Sequence, residues 1–206
     1  KHWQCIETGM EMASALKKRD TTDRSRRNGH RQHLALLGHR RRAHSASVDE
    51  VTGIGSGIPS ERIRHKAGLI RRGIAINRPN NDAVDVLAKV GGPELAAMSG
   101  LMLGGASLRI PVVVDGFIAG AAELAIGIRP GVRDMLIGSH SSVEPGHQIL
   151  MDTFGIPTYF DFGLRAGEGT GAALLYPIID AAVRILTEMN TLQGIGMMML
   201  RAALGF

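Results

Sequence analysis

Short runs of β-branched residues that end in small polar residues constrain the fold of this chain most. The run IPVVVDG is the clearest, because three consecutive valines predict a buried strand that ends at Asp115 and Gly116. MLIGSH and PTYFDFGL are two further short runs that we interpret as strands. We therefore expect parallel strands at about residues 111–115, 135–138 and 158–162. Helical spacing between these runs favours an α/β fold with a parallel sheet.

The composition suits one compact domain that spans residues 1–206. Its 206 residues are 44% hydrophobic but only 4% aromatic, so Ala, Val, Ile, Leu and Met must form the core. The 27 glycines predict tight turns and places where the backbone approaches another group closely. The first predicted helix, over residues 5–16, has Ile6, Met10, Ala13 and Leu16 on one face.

Several classes of protein are excluded by what the chain lacks. Cys5 is the single cysteine, so we expect no internal disulfide, no Cys-rich metal site and a reducing, cytoplasmic setting. No signal-peptide pattern occurs at the start, and no apolar run of about 18 residues is free of charges or glycine clusters. We expect no membrane partner, no cofactor and no bound metal.

The basic charge is concentrated in one segment. Residues 17–44 hold ten of the 24 Lys and Arg and two acids, and they have neither helical nor strand periodicity. The net charge of +5 therefore belongs to this segment. A nucleic-acid-binding module is one interpretation, but the run has no aromatic residue to stack on bases, so we expect no nucleic-acid partner.

Four long motifs carry a resemblance to a known family. They are GGPELAAMSGLMLGGA, IPVVVDGFIAGAAELA, LIGSHSSVEPGH and LRAGEGTGAALLYPIIDAA. From residue 49 to about 190 the chain resembles the nicotinate-nucleotide:dimethylbenzimidazole phosphoribosyltransferases of cobalamin assembly. The resemblance implies a Rossmann-like parallel sheet flanked by helices, incomplete here, and a homodimer. It also implies transfer of 5-phosphoribose from nicotinate mononucleotide to 5,6-dimethylbenzimidazole, which yields α-ribazole phosphate and nicotinate.

The chain departs from the family pattern in three ways. Family members are considerably longer, with an N-terminal part that holds much of the benzimidazole pocket. Pro93 stands where the family has Phe in GGFE. The family's EMGIGNT loop is absent, although NGHRQH at residues 28–33 becomes MGIGNT if suitable codons are read one base later. We infer that residues 17–46 are an aberrant, frameshifted or disordered segment. An inactive fragment or pseudoenzyme of the family is the alternative function.

Glu168 is the candidate catalytic residue. It lies between Gly167 and Gly169 in RAGEGTG, where glycines, Gly171 included, let the backbone approach a substrate. The resemblance makes it the general base that accepts a benzimidazole proton. The alternative is an acid that only stabilises the start of the following helix.

The candidate substrate-binding residues come from three regions. The resemblance suggests that Lys66 binds the phosphate, whereas its many Arg neighbours are typical of a solvated face. Gly53, Gly55 and Gly57 could present amides to the phosphate or form an ordinary loop. Asp115 bounds the pocket or caps the next helix, and Ser139 begins a loop with His140 and Glu144 that favours a substrate wall. His140, Glu144 and His147 lack the helical HExxH spacing, which argues against a metal.

We predict that residues 17–44 pack poorly, because arginines and histidines at this density cannot be buried without partners. Hydrogen exchange should find these amides unprotected, with the strand at residues 111–115 as the protected control. Strong protection in both segments would contradict the prediction and weaken the frameshift argument.

Overall fold

The computed structural model describes residues 2–19, 47–55, 57, 59–164 and 169–204. The predicted aberrant segment falls outside the described residues, except at residues 17–19, where the first helix continues to Arg19. The chain divides into two compact units, Lys1–Ala172 and Ala173–Phe206. The prediction of a single domain stays a prediction.

Nine helices are found among the described residues. They are α1 His2–Arg19, α2 Val48–Val51, α3 Ile63–Asn77, α4 Ala83–Lys89, α5 Pro93–Ser107, α6 Ala119–Ile128, α7 Pro145–Phe154, α8 Thr170–Glu188 and α9 Leu192–Leu204. Short 3₁₀ segments lie at Ser60–Arg62, Gly116–Ile118 and Pro130–Met135. Local signals set several ends: Asp82 accepts hydrogen bonds from two amides at the start of α4, and Gly155 ends α7 in the left-handed conformation.

Two parallel strands confirm the α/β fold. β1 (Val112–Val114) pairs with β2 (Leu136–Gly138), with Val113 opposite Ile137. The third predicted strand, residues 158–162, is wrong as a strand: Phe160 forms one isolated parallel bridge with His140. Pro157 has no N–H to donate to a ladder, and β2 ends at Gly138, so pairing is confined to this bridge.

Small residues let α1 and α5 approach until their backbones touch. A Cβ at Gly100 would lie 2.0 Å from the Ile6 carbonyl oxygen, and one at Gly9 would lie 2.0 Å from the Ala97 carbonyl oxygen. Ile6 and Ala13 are buried as predicted, but Met10 is 38% exposed. Gly9 is buried in place of Met10, because the contact is between backbones rather than large side chains.

The core of the first unit surrounds α5 and α6. Its fully buried side chains include Val86 and Leu87 from α4, Leu95 from α5 and Leu124 from α6. None of these four is aromatic, which agrees with the composition. This apolar layer also includes Val114, the last residue of β1, and so supports the carboxyl end of the strand pair.

The second unit consists of most of α8 and all of α9, and it exposes many apolar side chains. They include Ile178, Leu186, Met189, Leu192 and Met198. By length and composition alone, the helix Thr170–Glu188 could cross a membrane; it also carries Asp180, Arg184 and Glu188.

We predict that Gly100→Ala destabilises the chain by about 1–3 kcal/mol, because the added methyl forces α1 away from α5. The matched control is Gly68→Ala in α3, where a Cβ would meet nothing within 4 Å. This control should gain about 0.5–1 kcal/mol from the lower flexibility of the unfolded chain. Urea unfolding followed by circular dichroism measures both, and equal effects of the two substitutions would contradict the packing described for α1 and α5.

Candidate functional site

A buried polar cluster lies at the carboxyl ends of β1 and β2. Asp115 follows β1, and Ser139 and His140 follow β2. The Ser139 amide donates to the Val114 carbonyl over 3.0 Å, so the two strand ends stay side by side. Ser139 and His140 are fully buried and Asp115 is 8% exposed. This edge of a parallel sheet is where ligands bind in α/β proteins.

Hydrogen bonds in this cluster converge on the Asp115 carboxylate. Ser139 Oγ lies 3.4 Å from Asp115 Oδ1 and 3.0 Å from His140 Nδ1. A carboxylate only accepts, so the Ser139 hydroxyl donates to Asp115 and is itself free to accept from His140 Nδ1–H. His140 Nδ1 is also 3.4 Å from Asp115 Oδ1. The cluster therefore favours a charged Asp115.

Burial and hydrogen bonding have opposite effects on the pKa of Asp115. Burial acts to raise the pKa of this carboxyl, but hydrogen bonds from His140 and from the amides of Gly169 and Gly171 lower it by more. The pKa of Asp115 therefore lies below its ordinary value. The folded chain keeps this carboxylate ionised at neutral pH.

Gly169, just before α8, and Gly171, in its first turn, pack directly on this cluster. The Gly169 amide donates to Asp115 Oδ2 over 2.6 Å. A Cβ at Gly171 would lie 2.0 Å from His140 Nδ1 and 2.4 Å from Asp115 Oδ1, so no side chain fits there. Of the predicted residues in RAGEGTG, Gly167 and Glu168 lie outside the described residues.

Lys66 forms a second polar cluster with the loop after α2. Its ammonium donates to the Gly53 carbonyl over 2.8 Å, and the side chain is 7% exposed. The solvated-face interpretation of Lys66 is therefore wrong. The neighbouring Arg62, Arg64, Arg71 and Arg72 are exposed, so these arginines and not Lys66 form the solvated surface.

Glu144 reaches the same loop from the start of α7. A Cβ at Gly53 would lie 2.1 Å from Glu144 Oε2, so the carboxylate rests on the glycine backbone. This oxygen is buried and has no hydrogen-bond partner among the described residues. Burial lowers the pKa of Lys66, and the charge of Glu144 acts in the opposite direction.

The other two predicted loop glycines have left-handed backbones. Gly55 has φ +56° and Gly57 has φ +113°, conformations that favour glycine. A Cβ at Gly55 would lie 3.7 Å from Lys66 Nζ, so this part of the loop adjoins the ammonium. Gly57 has open space where a side chain would be.

The loop from Ser139 to Glu144 connects the two clusters. His147 Nε2 donates to the His140 carbonyl over 3.0 Å, which fixes the proton on Nε2. Burial lowers the pKa of His147, so the ring is neutral. Within the described residues, no group of three His, Cys, Asp or Glu could hold a metal ion.

The sequence pattern missed two relationships in this site. His140 contacts Asp115, with Nδ1 3.4 Å from Oδ1, and its ring lies 6.0 Å from that of Phe160; its place in a substrate wall stays a prediction. The sequence pattern assigns Glu144 to the same loop, and the structure adds a contact with Gly53 that the pattern does not predict. Each contact joins residues distant in the chain, so no local spacing could have revealed it.

The fold is of the α/β class, with its polar clusters at the carboxyl ends of parallel strands, and comparison identifies the family. The profile of a family described as phosphoribosyltransferase matches residues 24–196. That match covers well over half of the chain. The chain therefore belongs to this phosphoribosyltransferase family.

Curated relatives have a more specific name. The nicotinate-nucleotide–dimethylbenzimidazole phosphoribosyltransferase of Desulforamulus reducens is 52% identical over 146 residues, 70% of this chain and 42% of the relative. The enzyme of the same name from Geobacter sp. strain M21 is 49% identical over 152 residues, 73% of this chain and 44% of the relative. The chain thus spans less than half the length of these relatives.

Solved structures agree with the family. The crystal structure of CobT from Thermus thermophilus matches with a TM-score of 0.84 and 34% identity, over 95% of this chain and 59% of that chain. A structure of nicotinate-nucleotide–dimethylbenzimidazole phosphoribosyltransferase from the same organism gives a TM-score of 0.81 and 33% identity, over 95% of this chain and 58% of that chain.

We predict that Lys66→Met raises the free energy of unfolding at pH 7, because burial makes the protonated ammonium costly. Each unit by which the pKa is lowered corresponds to about 1.4 kcal/mol. Between the lowered pKa and the ordinary value of 10.5, the unfolded chain binds more protons than the folded chain. Stability should therefore rise with pH across that window in the original chain, and this rise should be absent in Lys66→Met.

The matched control for this prediction is Lys17→Met, because Lys17 is exposed on α1. Urea unfolding at pH 7 and at stepped alkaline pH measures both variants. The prediction is contradicted if Lys17→Met and Lys66→Met give the same pH dependence.

Proposed function

We propose that this chain is part of an enzyme that transfers 5-phosphoribose from nicotinate mononucleotide to 5,6-dimethylbenzimidazole. The products are α-ribazole phosphate and nicotinate, and the step belongs to cobalamin assembly. The observation that carries the proposal is 52% identity to a relative of that name over 146 residues of the chain. The two substrates are those that appear in the names of these relatives.

Glu168 is the proposed general base. It accepts the proton from one benzimidazole nitrogen while the other nitrogen attacks C1′ of the ribose. The bond from C1′ to the nicotinate nitrogen breaks, and nicotinate leaves with that electron pair. Support comes from Gly169, the next residue along the chain, whose amide is held at the sheet edge by Asp115. General-base catalysis contributes about 10²–10⁴-fold.

Lys66 is the proposed phosphate-binding residue, together with Gly53, Gly55 and Gly57. An ammonium has three N–H donors, and the Gly53 carbonyl accepts one of them. A buried cation whose field is little screened by water attracts a phosphate strongly. The Gly55 backbone is left-handed and adjoins the ammonium, so its amide is proposed to contact the same group, whereas the Gly57 amide donates to the Ile54 carbonyl over 3.3 Å.

The remaining substrate-binding proposals concern Ser139, Gly167, Gly169 and Gly171, and Asp115 is proposed to bound the same pocket. These residues, where described, lie at the carboxyl edge of the strand pair, which supports a pocket there. Gly167 is proposed on the motif alone. No cofactor or metal is part of the proposal.

The proposed assembly is a homodimer in the cytoplasm. Exposed apolar residues on α8 and α9, such as Leu186 and Leu192, support a contact with another protein surface. The unpaired Cys5 is compatible with a reducing compartment.

An inactive member of the same family is the second candidate. The chain spans 42–44% of the first two relatives, and the family's EMGIGNT loop is absent from it. Holding the ribose in line with the attacking nitrogen can supply about 7–11 kcal/mol of a barrier. A general base alone cannot replace that contribution, so we expect this exact chain to form product barely or not at all.

The test follows α-ribazole phosphate formation from the two substrates. We expect negligible product with this chain and turnover with a full-length version in which residues 17–46 are read in the shifted frame. Glu168→Gln in that version should lower turnover by about 10²–10⁴-fold. Glu188→Gln, at the exposed end of α8, is the matched control and should have no effect.

Two results would contradict these assignments separately. Turnover by the chain as written would overturn the role given to the missing loop. Full turnover by the Glu168→Gln variant would overturn the choice of base.

A further inference from the structure

Asp115 makes a contact that its proposed role in substrate binding does not explain. Its Oδ2 accepts the amide proton of Gly169, which lies 54 residues further along the chain, over 2.6 Å. Its Oδ1 faces Ser139 Oγ and His140 Nδ1, each at 3.4 Å. Both carboxylate oxygens are therefore engaged by the protein, and the side chain is 8% exposed.

Two glycines, Gly169 and Gly171, contact this carboxylate closely. Gly169 has φ +85°, a conformation that side-chain-bearing residues rarely adopt. Gly171 packs so closely on His140 and Asp115 that a Cβ would overlap both. The backbone at Gly169 and Gly171 thus lies directly on the charged group, with no side chain between them.

This contact matters because Gly169 directly follows Glu168 in the chain. A hydrogen bond to a buried carboxylate is stronger than one between neutral groups. A general base must lie within hydrogen-bond reach of its proton, and an error of about 1 Å in placement can cost about 10²-fold. A fixed Gly169 amide limits where the preceding residue can be.

We propose that Asp115, supported by His140, is a positioning residue that anchors the glycine turn next to the general base. The inference rests on the proposed function only in naming Glu168 as that base. Asp115 acts by accepting a hydrogen bond from the Gly169 amide, and it takes no part in proton transfer. A substrate-contact role for Asp115 is the competing outcome of the test.

The first measurement is amide hydrogen exchange on the chain as it exists. Asp115→Asn should raise exchange at Gly169 about 10- to 100-fold, the loss expected for a hydrogen bond to a charged group. The Val114 amide, in β1, is the internal reference. The matched control is Asp134→Asn, whose carboxylate is exposed, and it should leave both amides unchanged.

A pH profile of the Gly169 protection factor separates an electrostatic anchor from simple packing. Among the described residues, the titratable groups that act on or are acted on by Asp115 are His140 and His147. Because the pKa of Asp115 is lowered, protection should persist as pH falls through the ordinary carboxyl range and disappear below it. In His140→Gln the loss should occur at higher pH, because His140 helps to lower the pKa of Asp115.

The link to Glu168 has its own readout. The carboxyl carbon of Glu168, assigned by comparison with Glu168→Gln, should titrate at a different pH in Asp115→Asn than in the original chain. An unchanged titration would overturn the positioning role. So would unchanged Gly169 exchange, or a pH profile that His140→Gln does not shift.

Two further results have defined meanings. If Asp115→Asn fails to fold, the pH profiles of the original chain and of His140→Gln still show whether the Asp115 carboxylate holds the Gly169 amide. If Asp115→Asn leaves Gly169 exchange unchanged but weakens binding of nicotinate mononucleotide, Asp115 is a substrate contact. Failure of the proposed function would instead appear as absent product with the full-length, shifted-frame version while the anchor in this chain is intact, because exchange at Gly169 requires no turnover.

Discussion

The carboxylate of Asp115 connects the end of β1, the loop after β2 and the start of α8. Parallel strands bring their carboxyl ends to one edge, so residues far apart in sequence meet there. The charge on Asp115 is maintained by donors from His140 and Gly169, which offset the cost of burial. The other features of the site depend on this arrangement, because the loop after β2 leads on to Glu144 and the second cluster.

Glycine has two separate uses in this chain. At Gly100 and Gly9 it lets two helices touch backbone to backbone, which compensates for the low aromatic content with close packing. At Gly53 and Gly171 it lets a backbone lie against a charged side chain. The first use stabilises the fold, whereas the second builds a polar site that a methyl group would close.

Burial of Lys66 opposes stability, and in our proposal it strengthens phosphate binding. An ammonium removed from water lowers the stability of the folded chain, and its hydrogen bond to the Gly53 carbonyl offsets only part of that cost. Such a cost is tolerated where the charge has a partner to meet, and a substrate phosphate is the partner in our proposal. Glu144 reduces the cost by stabilising the charged form of Lys66.

The sequence by itself determined the fold class, the positions of the first two strands and the family, because these depend on local periodicity and on long ordered motifs. It also indicated which loops carry polar residues. Only the tertiary structure decided that Lys66 is buried, that Asp115 holds Gly169, and that residues 158–162 make one bridge instead of a strand. The physical reason is that burial and hydrogen-bond partners depend on segments brought together by packing. Contacts between residues far apart in the chain cannot be predicted from the local spacing of residue types.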